Sequence, residues 1–326
     1  MNSALRGVGL TALITATALA NPARATDYLD GEPNLQPTTS LFMVYVNAAD
    51  GADLSLDTHI ASHAARERRG DRLALFDGET TRVSLSASRS MGERWRLDIS
   101  ARYFWINKGV LDPFIDSWHK AFGLPEGIRD DRPRDVLDFQ VSDNGSDIIQ
   151  LGARQRGIGD TRLRAHYRWR EADAEHGEIT LTTAIKLPTG DAARLTGSGG
   201  VDVGFGLNYR SAAHPDNRWR WSVGGSMTWL GDSDIVGLAE RRAAASAQIS
   251  ADYRVTSALS LGARLQAHSA VIDSTLNNIG APAAQLITGG EWRFHERWAL
   301  RVTVAEDVIV EHSPDVTFRI GIAQRY

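Results

Sequence analysis

Apolar and polar residues alternate along most of the chain beyond residue 50. The stretch WRLDISARYFW places Trp95, Leu97 and Ile99 on one face and Arg96 and Asp98 on the other. A period of two residues indicates a β-strand, because successive side chains of a strand point to opposite faces. The stretches run for about 10–13 residues, which is longer than an ordinary globular strand and fits a tilted strand that crosses a bilayer.

The alternation predicts about twelve strands. Their predicted centres are Leu56, Leu85, Ile99, Ala165, Leu181, Phe205, Val223, Ile249, Ala263, Thr288, Val302 and Ile320. Aromatic residues such as Trp95, Trp105, Trp219 and Trp229 crowd the strand ends, as in the girdles of outer-membrane barrels. A soluble sandwich would have shorter strands and no such frame. We therefore predict an all-β fold, a transmembrane antiparallel β-barrel of about 12 strands.

The connections between the predicted strands alternate between short and long. A short turn such as Met91 to Arg94 contrasts with links from Ser62 to Gly78 and from Asn107 to Gly157. Short turns face the periplasm and long loops face outward in outer-membrane barrels, so both termini are expected in the periplasm. The longest loop has apolar residues at helical spacing, which predicts a short helix in a long extracellular loop.

The N-terminal residues differ in composition from the rest. Residues 1-25 contain one arginine, an apolar run and an Ala-Arg-Ala site, as in a secretory signal peptide. Residues 26-51 are expected to form an N-terminal segment that lies either in the periplasm or in the lumen, and residues 52-326 to form the barrel. The chain has no cysteine, a net charge of -4 and a mean hydropathy of -0.27. These values argue against nucleic-acid binding and exclude a bundle of hydrophobic membrane helices.

Cations outnumber acids on the polar faces that we take as inward. The predicted solute-lining residues are Arg96, Arg102, Arg162, Arg164, His166, Arg168, Lys186, Arg220, Arg264, Arg301 and Arg319. The surplus is largest on the fourth strand, where Arg170 also falls on the polar face. One interpretation is an arginine-lined passage that attracts small anionic solutes. The other is a barrel filled by paired charges, with acids such as Asp98 and Glu291 as the partners.

The helix of the longest loop is expected to fold into the barrel mouth as a constriction. The residues assigned to it are Asp112, Phe114, Asp116, Trp118 and His119. Its two aspartates and its histidine share a helical face, but a solvated polar face explains them better than a metal site. No motif predicts a metal or cofactor, so none is assigned.

An outer-membrane enzyme that acts on phospholipid or lipopolysaccharide is the main alternative, and a closed structural barrel is another. A lipid-side serine–histidine catalyst needs a histidine on the lipid-facing rim. By alternation His166 and His268 point inward, whereas His59 and His63 are the histidines that could pair with Asp57. No catalytic residue is assigned.

The chain ends in VTFRIGIAQRY, an amphipathic strand closed by Tyr326. We expect this strand to close the barrel against the region from Leu54 to Ile60. A terminal aromatic residue after alternating apolar residues is also typical of clients of the outer-membrane assembly machinery. The expected partners are therefore that machinery, outer-membrane lipid and lipopolysaccharide, and a small anionic solute, with no nucleic acid.

Several stretches resemble a bacterial family, domain-of-unknown-function family 3187 (DUF3187). They are FDGETTRVSL, LDPFIDSWHKAFGLPEG, GIGDTRLRAHY, KLPTGD, GSGGVDVG and SPDVTFRIGIAQRY. The resemblance spans nearly the whole mature chain and implies a secreted outer-membrane barrel of Gram-negative bacteria, without implying catalytic residues. The sequence as a whole predicts a porin-like barrel exported to the cell outer membrane, where it acts as a passive channel or binding barrel for small polar, anionic solutes.

Overall fold

The structure is a computed structural model that describes residues 28–29, 34–48, 51–109, 111, 113, 115, 117, 133, 135–212, 217–309 and 312–325. These residues contain fifteen β-strands in one sheet. The strands are β1 (Leu54–Arg69), β2 (Arg72–Met91), β3 (Trp95–Asn107), β4 (Asp138–Asp143), β5 (Ser146–Leu151), β6 (Gln155–Ile158), β7 (Thr161–Arg170), β8 (Glu178–Leu187), β9 (Asp202–Arg210), β10 (Trp219–Trp229), β11 (Ala243–Arg254), β12 (Leu259–His268), β13 (Ala283–His295), β14 (Trp298–Asp307) and β15 (Val316–Gln324).

Twelve of these strands close into an antiparallel barrel. Strands β1, β2, β3 and β7 to β15 each pair with two neighbours, and β15 pairs with β1 from Leu54↔Gln324 to Ser62↔Val316. All twelve predicted strand centres lie in these strands, so the predicted fold class and the closing role of the last strand are confirmed. Closure satisfies the backbone hydrogen bonds of every barrel strand, as a bilayer requires.

The two faces of the barrel separate as the alternation predicts. Apolar side chains such as Leu56, Ile99 and Phe205 are about half exposed on the outside, whereas Arg82, Arg264 and Arg301 are fully buried inside. Aromatic pairs such as Trp95–Tyr167 and Phe205–Trp229 mark the two ends of the outer surface.

Two sequence expectations are wrong. The link from Ser62 to Gly78 is not a loop, because β1 and β2 continue as a paired ladder to Arg69↔Arg72. Arg170 does not follow the inward face of β7, because the register shifts between Arg168 and Arg170. This bulge reverses the alternation, and the Arg170 guanidinium lies 6.0 Å from the centre of the Tyr209 ring.

The remaining elements lie at the loop end of the barrel, opposite the short turns. The β4–β5 hairpin pairs with the extension of β2, and β6 continues β7 along β3. Residues 113, 115 and 117 of the longest loop are helical, and single turns occur at Thr39–Leu41, Ala192–Arg194 and Asn277–Gly280. None of the helices in the described ranges is long and apolar enough to cross a membrane.

Candidate functional site

The segment before the first strand fills part of the barrel interior. Residues 34–48, here called the plug, are almost all buried, and Phe42, Met43 and Val44 have no exposed surface. The Val46 amide donates to Ser226 Oγ (3.2 Å), and Arg162 Nη2 donates to the Phe42 carbonyl (3.2 Å). Of the two placements left open by the sequence, the described residues of this segment therefore occupy the lumen.

The plug lies against a wall that has glycines at its points of closest approach. This glycine wall is formed by the inner faces of β8, β9 and β10 and includes Gly204, Gly206 and Gly224. A Cβ atom at Gly206 would lie 2.1 Å from the Val46 carbonyl oxygen, and one at Gly204 would lie 2.6 Å from Val46 Cγ2. Only glycine allows the plug backbone to approach the strand this closely.

A buried ionic node at the loop end connects the plug to the barrel. Lys186 Nζ donates to Asp160 Oδ2 (2.8 Å) and lies 3.5 Å from Asp202 Oδ2. Asp202 accepts hydrogen bonds from the amides of Met43 (2.7 Å) and Gly231 (3.0 Å). The node therefore joins the plug to the loop that follows β10 through one carboxylate.

The same node organises the loop between β8 and β9. Lys186 Nζ also donates to Ser198 Oγ (2.6 Å) and to the Gly200 carbonyl (2.9 Å). Asp160 accepts from the amides of Gly190 (2.9 Å) and Ser198 (3.2 Å). Each of the two carboxylates accepts at least two hydrogen bonds, and these offset part of the cost of burying both acids beside a single lysine.

A narrow polar cavity separates the plug from the opposite wall. This arginine wall is formed by the inner faces of β15, β1, β2, β3 and β7. The cavity is lined by Arg102, Arg162, Arg164, Arg319, Asp57, Asp98, five serines and plug residues that include Tyr45 and Asn47. Its volume of about 60 Å³ holds a few water molecules and is far below the roughly 300 Å³ of an ordinary ligand pocket.

The cavity has more positive than negative groups. Each of the two carboxylates has an arginine partner, since Arg164 pairs with Asp98 (2.7 Å) and Arg319 with Asp57 (2.8 Å). Two buried hydroxyls at the cavity, those of Ser84 and Tyr45, have no hydrogen-bond partner among the described residues. Burial raises the pKa of the Tyr45 phenol, so its hydroxyl stays a neutral donor. The lining thus combines surplus cations with hydroxyl donors.

The other predicted solute-lining residues lie on the inner side of the barrel but outside this cavity. Arg96 pairs with Asp53 (3.0 Å), Arg168 with Glu171 (2.6 Å) and Arg301 with Glu291 (3.1 Å). The remaining positions are His166, which bonds Thr182 Oγ1 at 3.0 Å, Lys186 in the node, Arg220 opposite Asp252, and Arg264, which is fully buried. The predicted set therefore divides into four cavity residues and seven residues placed elsewhere along the barrel.

The loop end of the lumen is covered by an apolar cluster. It contains Leu41, Phe42, Val44 and Tyr45 of the plug, together with loop and hairpin residues such as Phe139, Leu195, Leu230, Ile235 and Val271. Phe139 packs edge-on against Phe76 and His63 at centroid distances of 5.8 and 5.4 Å. The plug is therefore held at its loop end by hydrophobic burial in addition to the ionic node.

The predicted loop constriction of Asp112, Phe114, Asp116, Trp118 and His119 lies outside the described residues. The neighbouring Ile115 is fully buried, and the Leu111 amide donates to Glu79 Oε1 (2.6 Å). No group of three histidines or acids within the described ranges is arranged to hold a metal ion.

The histidines considered for lipid-side chemistry are buried on the inner face. His59 Nδ1 lies 3.3 Å from Arg82 Nη2, and His63 Nε2 lies 3.0 Å from Thr80 Oγ1. Asp57, their proposed partner, is instead bonded to Arg319. Neither histidine faces the lipid side, where a substrate phospholipid would lie.

Sequence reasoning left the placement of the plug residues open, and it identified Asp202 only as a possible partner of the inward cations. The signal for the plug was present in LFMVYVN, an apolar run that does not alternate and that would be costly to leave in water. Asp202 has no comparable signal, because its role depends on the placement of the Met43 amide 159 residues away in sequence.

Comparison with solved structures identifies barrels of the same architecture. The chain is similar to the COG4313 outer membrane channel from Pseudomonas putida F1, with 16% identity, a TM-score of 0.57, and coverage of 86% of this chain and 97% of that one. It also matches the NanC porin at 8% identity and a TM-score of 0.48, covering 84% of this chain and all of that one. At 16% identity, the likeness to the COG4313 channel shows the fold alone. No curated protein matches the chain by sequence.

The family comparison covers the barrel and the plug together. A family model described as "Protein of unknown function (DUF3187)" matches residues 34–326, which begins at the first plug residue and ends at the last residue of the chain. The plug is thus included in the same family unit as the barrel, and the chain belongs to the DUF3187 family.

Proposed function

We propose that the protein is an outer-membrane channel for small anionic solutes, closed in this conformation by its own plug. The observation that carries the proposal is the cavity between the plug and the arginine wall, where Arg102, Arg162, Arg164 and Arg319 face two carboxylates. An excess of guanidinium groups in a confined passage favours anions over cations. Both termini and the short turns face the periplasm in this proposal, as in other barrels of this type.

Opening requires the plug to leave the glycine wall. Withdrawal breaks the bonds from Met43 to Asp202, from Val46 to Ser226 and from Arg162 to the Phe42 carbonyl. The inner face of β9 that the plug vacates carries no bulky side chains at Gly204 and Gly206, so the passage widens without further rearrangement of the wall. The node also bonds the loops after β8 and β10. A solute that displaces those loops would therefore weaken the bond between the node and the plug.

The main test compares the full chain with a variant that lacks residues 34–48 in planar bilayers. We expect small conductance from the full chain and a large, anion-selective conductance from the deletion variant. If the deletion conducts no more than the full chain, the plug is not the closure, and a closed structural barrel is supported. A reversal potential that shows cation preference would refute the anionic solute class.

Selectivity is tested with one variant on the arginine wall. Arg102→Gln removes a cavity cation, and we expect a reduced anion preference in the plug-deleted background. Arg68→Gln is the matched control, because Arg68 is exposed on the loop-end extension of β1 and does not line the cavity. The enzyme alternative predicts hydrolysis of phospholipid or lipid A that His59→Ala abolishes, whereas a channel shows no such hydrolysis.

A further inference from the structure

Arg89 is a charged residue on the outward face of the barrel. It is flanked along β2 by Ala87 and Met91, and it pairs across the ladder with Leu97. All four residues are exposed on the outer surface, and no carboxylate in the described part of the chain pairs with the Arg89 guanidinium. A cation on a lipid-facing wall is unfavourable unless it reaches the interface or meets an anion.

Arg89 lies close to the interface at the short-turn end. The next outward pair along the ladder is Met91↔Trp95, and Trp95 contacts the ring of Tyr167 at a centroid distance of 4.9 Å. Arg94 Nη1 donates to the Tyr167 hydroxyl (3.2 Å), which places polar groups beside this aromatic pair. Two residues of a strand rise about 7 Å, a distance that an extended arginine side chain can span toward the headgroup level.

An apolar groove begins at Arg89 and runs across the outer faces of β2, β3, β7, β8 and β9. Its volume is about 660 Å³, within the range of small-molecule sites. Larger apolar side chains, Leu97, Ile99, Leu163, Ile185 and Val203, line it together with the small residues Ala87 and Ala165. A second depression, lined by Arg89, Ser90, Met91, Gly92, Trp95 and Leu97, lies toward the short turn.

We propose that this surface is a binding site for one glycerophospholipid of the membrane leaflet at the short-turn end. The phosphate is held by the Arg89 guanidinium, which presents paired donors that match phosphate oxygens. One acyl chain lies in the apolar groove, and the headgroup occupies the depression beside the turn at Gly92. The site explains why a cation stands in an apolar wall next to a groove, and it does not depend on the channel proposal.

The test uses native mass spectrometry of the full-length protein released from nanodiscs that contain phosphatidylglycerol. We expect one retained phospholipid on the wild type and a retained fraction about tenfold lower for Arg89→Gln, because one charge-assisted phosphate contact is lost. Ala165→Leu fills the groove, keeps Arg89, and is expected to lower retention as well. This second variant carries the test if Arg89→Gln assembles poorly.

Arg68→Gln is the matched control, since Arg68 is exposed on the loop-end extension of β1, away from the groove. Equal retention by the wild type and both site variants overturns the proposal, as does equal loss in Arg68→Gln. Competition by inorganic phosphate alone, without an acyl chain, would show that the groove contributes nothing and would also overturn it. Preferential retention of lipid A over phosphatidylglycerol contradicts the assignment to the short-turn leaflet.

Discussion

The glycine wall and the arginine wall differ in how closely they approach the plug. The glycine wall lets the plug backbone approach within van der Waals distance and bonds it through Ser226 and Asp202. The arginine wall keeps a polar gap, in which Asp57 and Asp98 pair with Arg319 and Arg164. A barrel of twelve strands is too wide for side chains from one wall to fill it, so the chain closes one half with a backbone segment and leaves a charged slit in the other.

In the proposed channel, this difference in contact with the plug gives the two walls separate roles. In the proposed channel, closure depends mainly on the glycine wall and its ionic node, which bond the plug through Ser226 and Asp202, with one further bond from Arg162 to the Phe42 carbonyl. Ion preference depends on the arginine wall, because its charges face the slit. Apart from changes at Arg162, which both lines the cavity and bonds the plug, substitutions on one wall should leave the property of the other unchanged. The following experiments test that separation in order of decreasing effect.

The largest effect is expected from Lys186→Met at the ionic node. The substitution leaves Asp160 and Asp202 buried without their shared cation, and breaking a buried pair costs about 3–5 kcal/mol. The plugged conformation loses this stabilisation, so bilayer recordings should show a strongly increased open fraction. Lys108→Met, the same change at an exposed lysine, should conduct as the wild type does. Closure that persists in Lys186→Met would mean that the node does not hold the plug.

A smaller effect is expected from Gly206→Val on the glycine wall. The new side chain overlaps the Val46 carbonyl, and overpacking of this kind costs about 1–3 kcal/mol. The plug should be displaced while the barrel stays assembled, which the heat-dependent shift of the folded band in gel electrophoresis can verify. Gly225→Val is the control, because Gly225 is on the neighbouring strand with only the Ser246 carbonyl oxygen within 4 Å of its added Cβ. Equal conductance of the two variants would contradict the close approach of the plug.

Ser226→Ala should weaken closure by a still smaller amount. Its hydroxyl accepts from the Val46 amide and contacts Ser246 Oγ (2.6 Å), and a single hydrogen bond contributes about 0.5–1.5 kcal/mol. The open fraction should rise by up to about tenfold. Ser222→Ala removes an equivalent serine pair, Ser222–Ser250 (2.6 Å), that does not bond the plug, and it should leave the open fraction unchanged.

The smallest effect is expected from Ser84→Ala on the arginine wall. Its hydroxyl bonds no described residue, so closure should stay within about 0.5 kcal/mol of the wild type. Single-channel recordings that show marked opening in this variant would contradict the separate roles of the two walls.

The barrel itself is determined by the sequence. Period-two alternation is a local signal, because a strand exposes alternate faces wherever it lies, and it located all twelve barrel strands. Alternation gave wrong predictions where strand pairing departs from a regular ladder or continues beyond the predicted strand ends. The alternation does not predict the bulge that turns Arg170 outward. It also does not predict that the stretch from Ser62 to Gly78 is strand, because β1 and β2 are stabilised there by pairing with each other at the loop end.

Only the tertiary structure decided how the lumen is occupied. The sequence left an open passage and a charge-filled barrel as alternatives, and it left residues 26-51 in the periplasm or in the lumen. For residues 34–48, which the structure describes, the answer depends on contacts between groups far apart in sequence, such as Met43 with Asp202 and Val46 with Gly206. Glycines in a strand and an apolar run before the first strand do not by themselves predict that the two will be in contact. Barrel closure brings them together, and the contact is seen only in the tertiary structure.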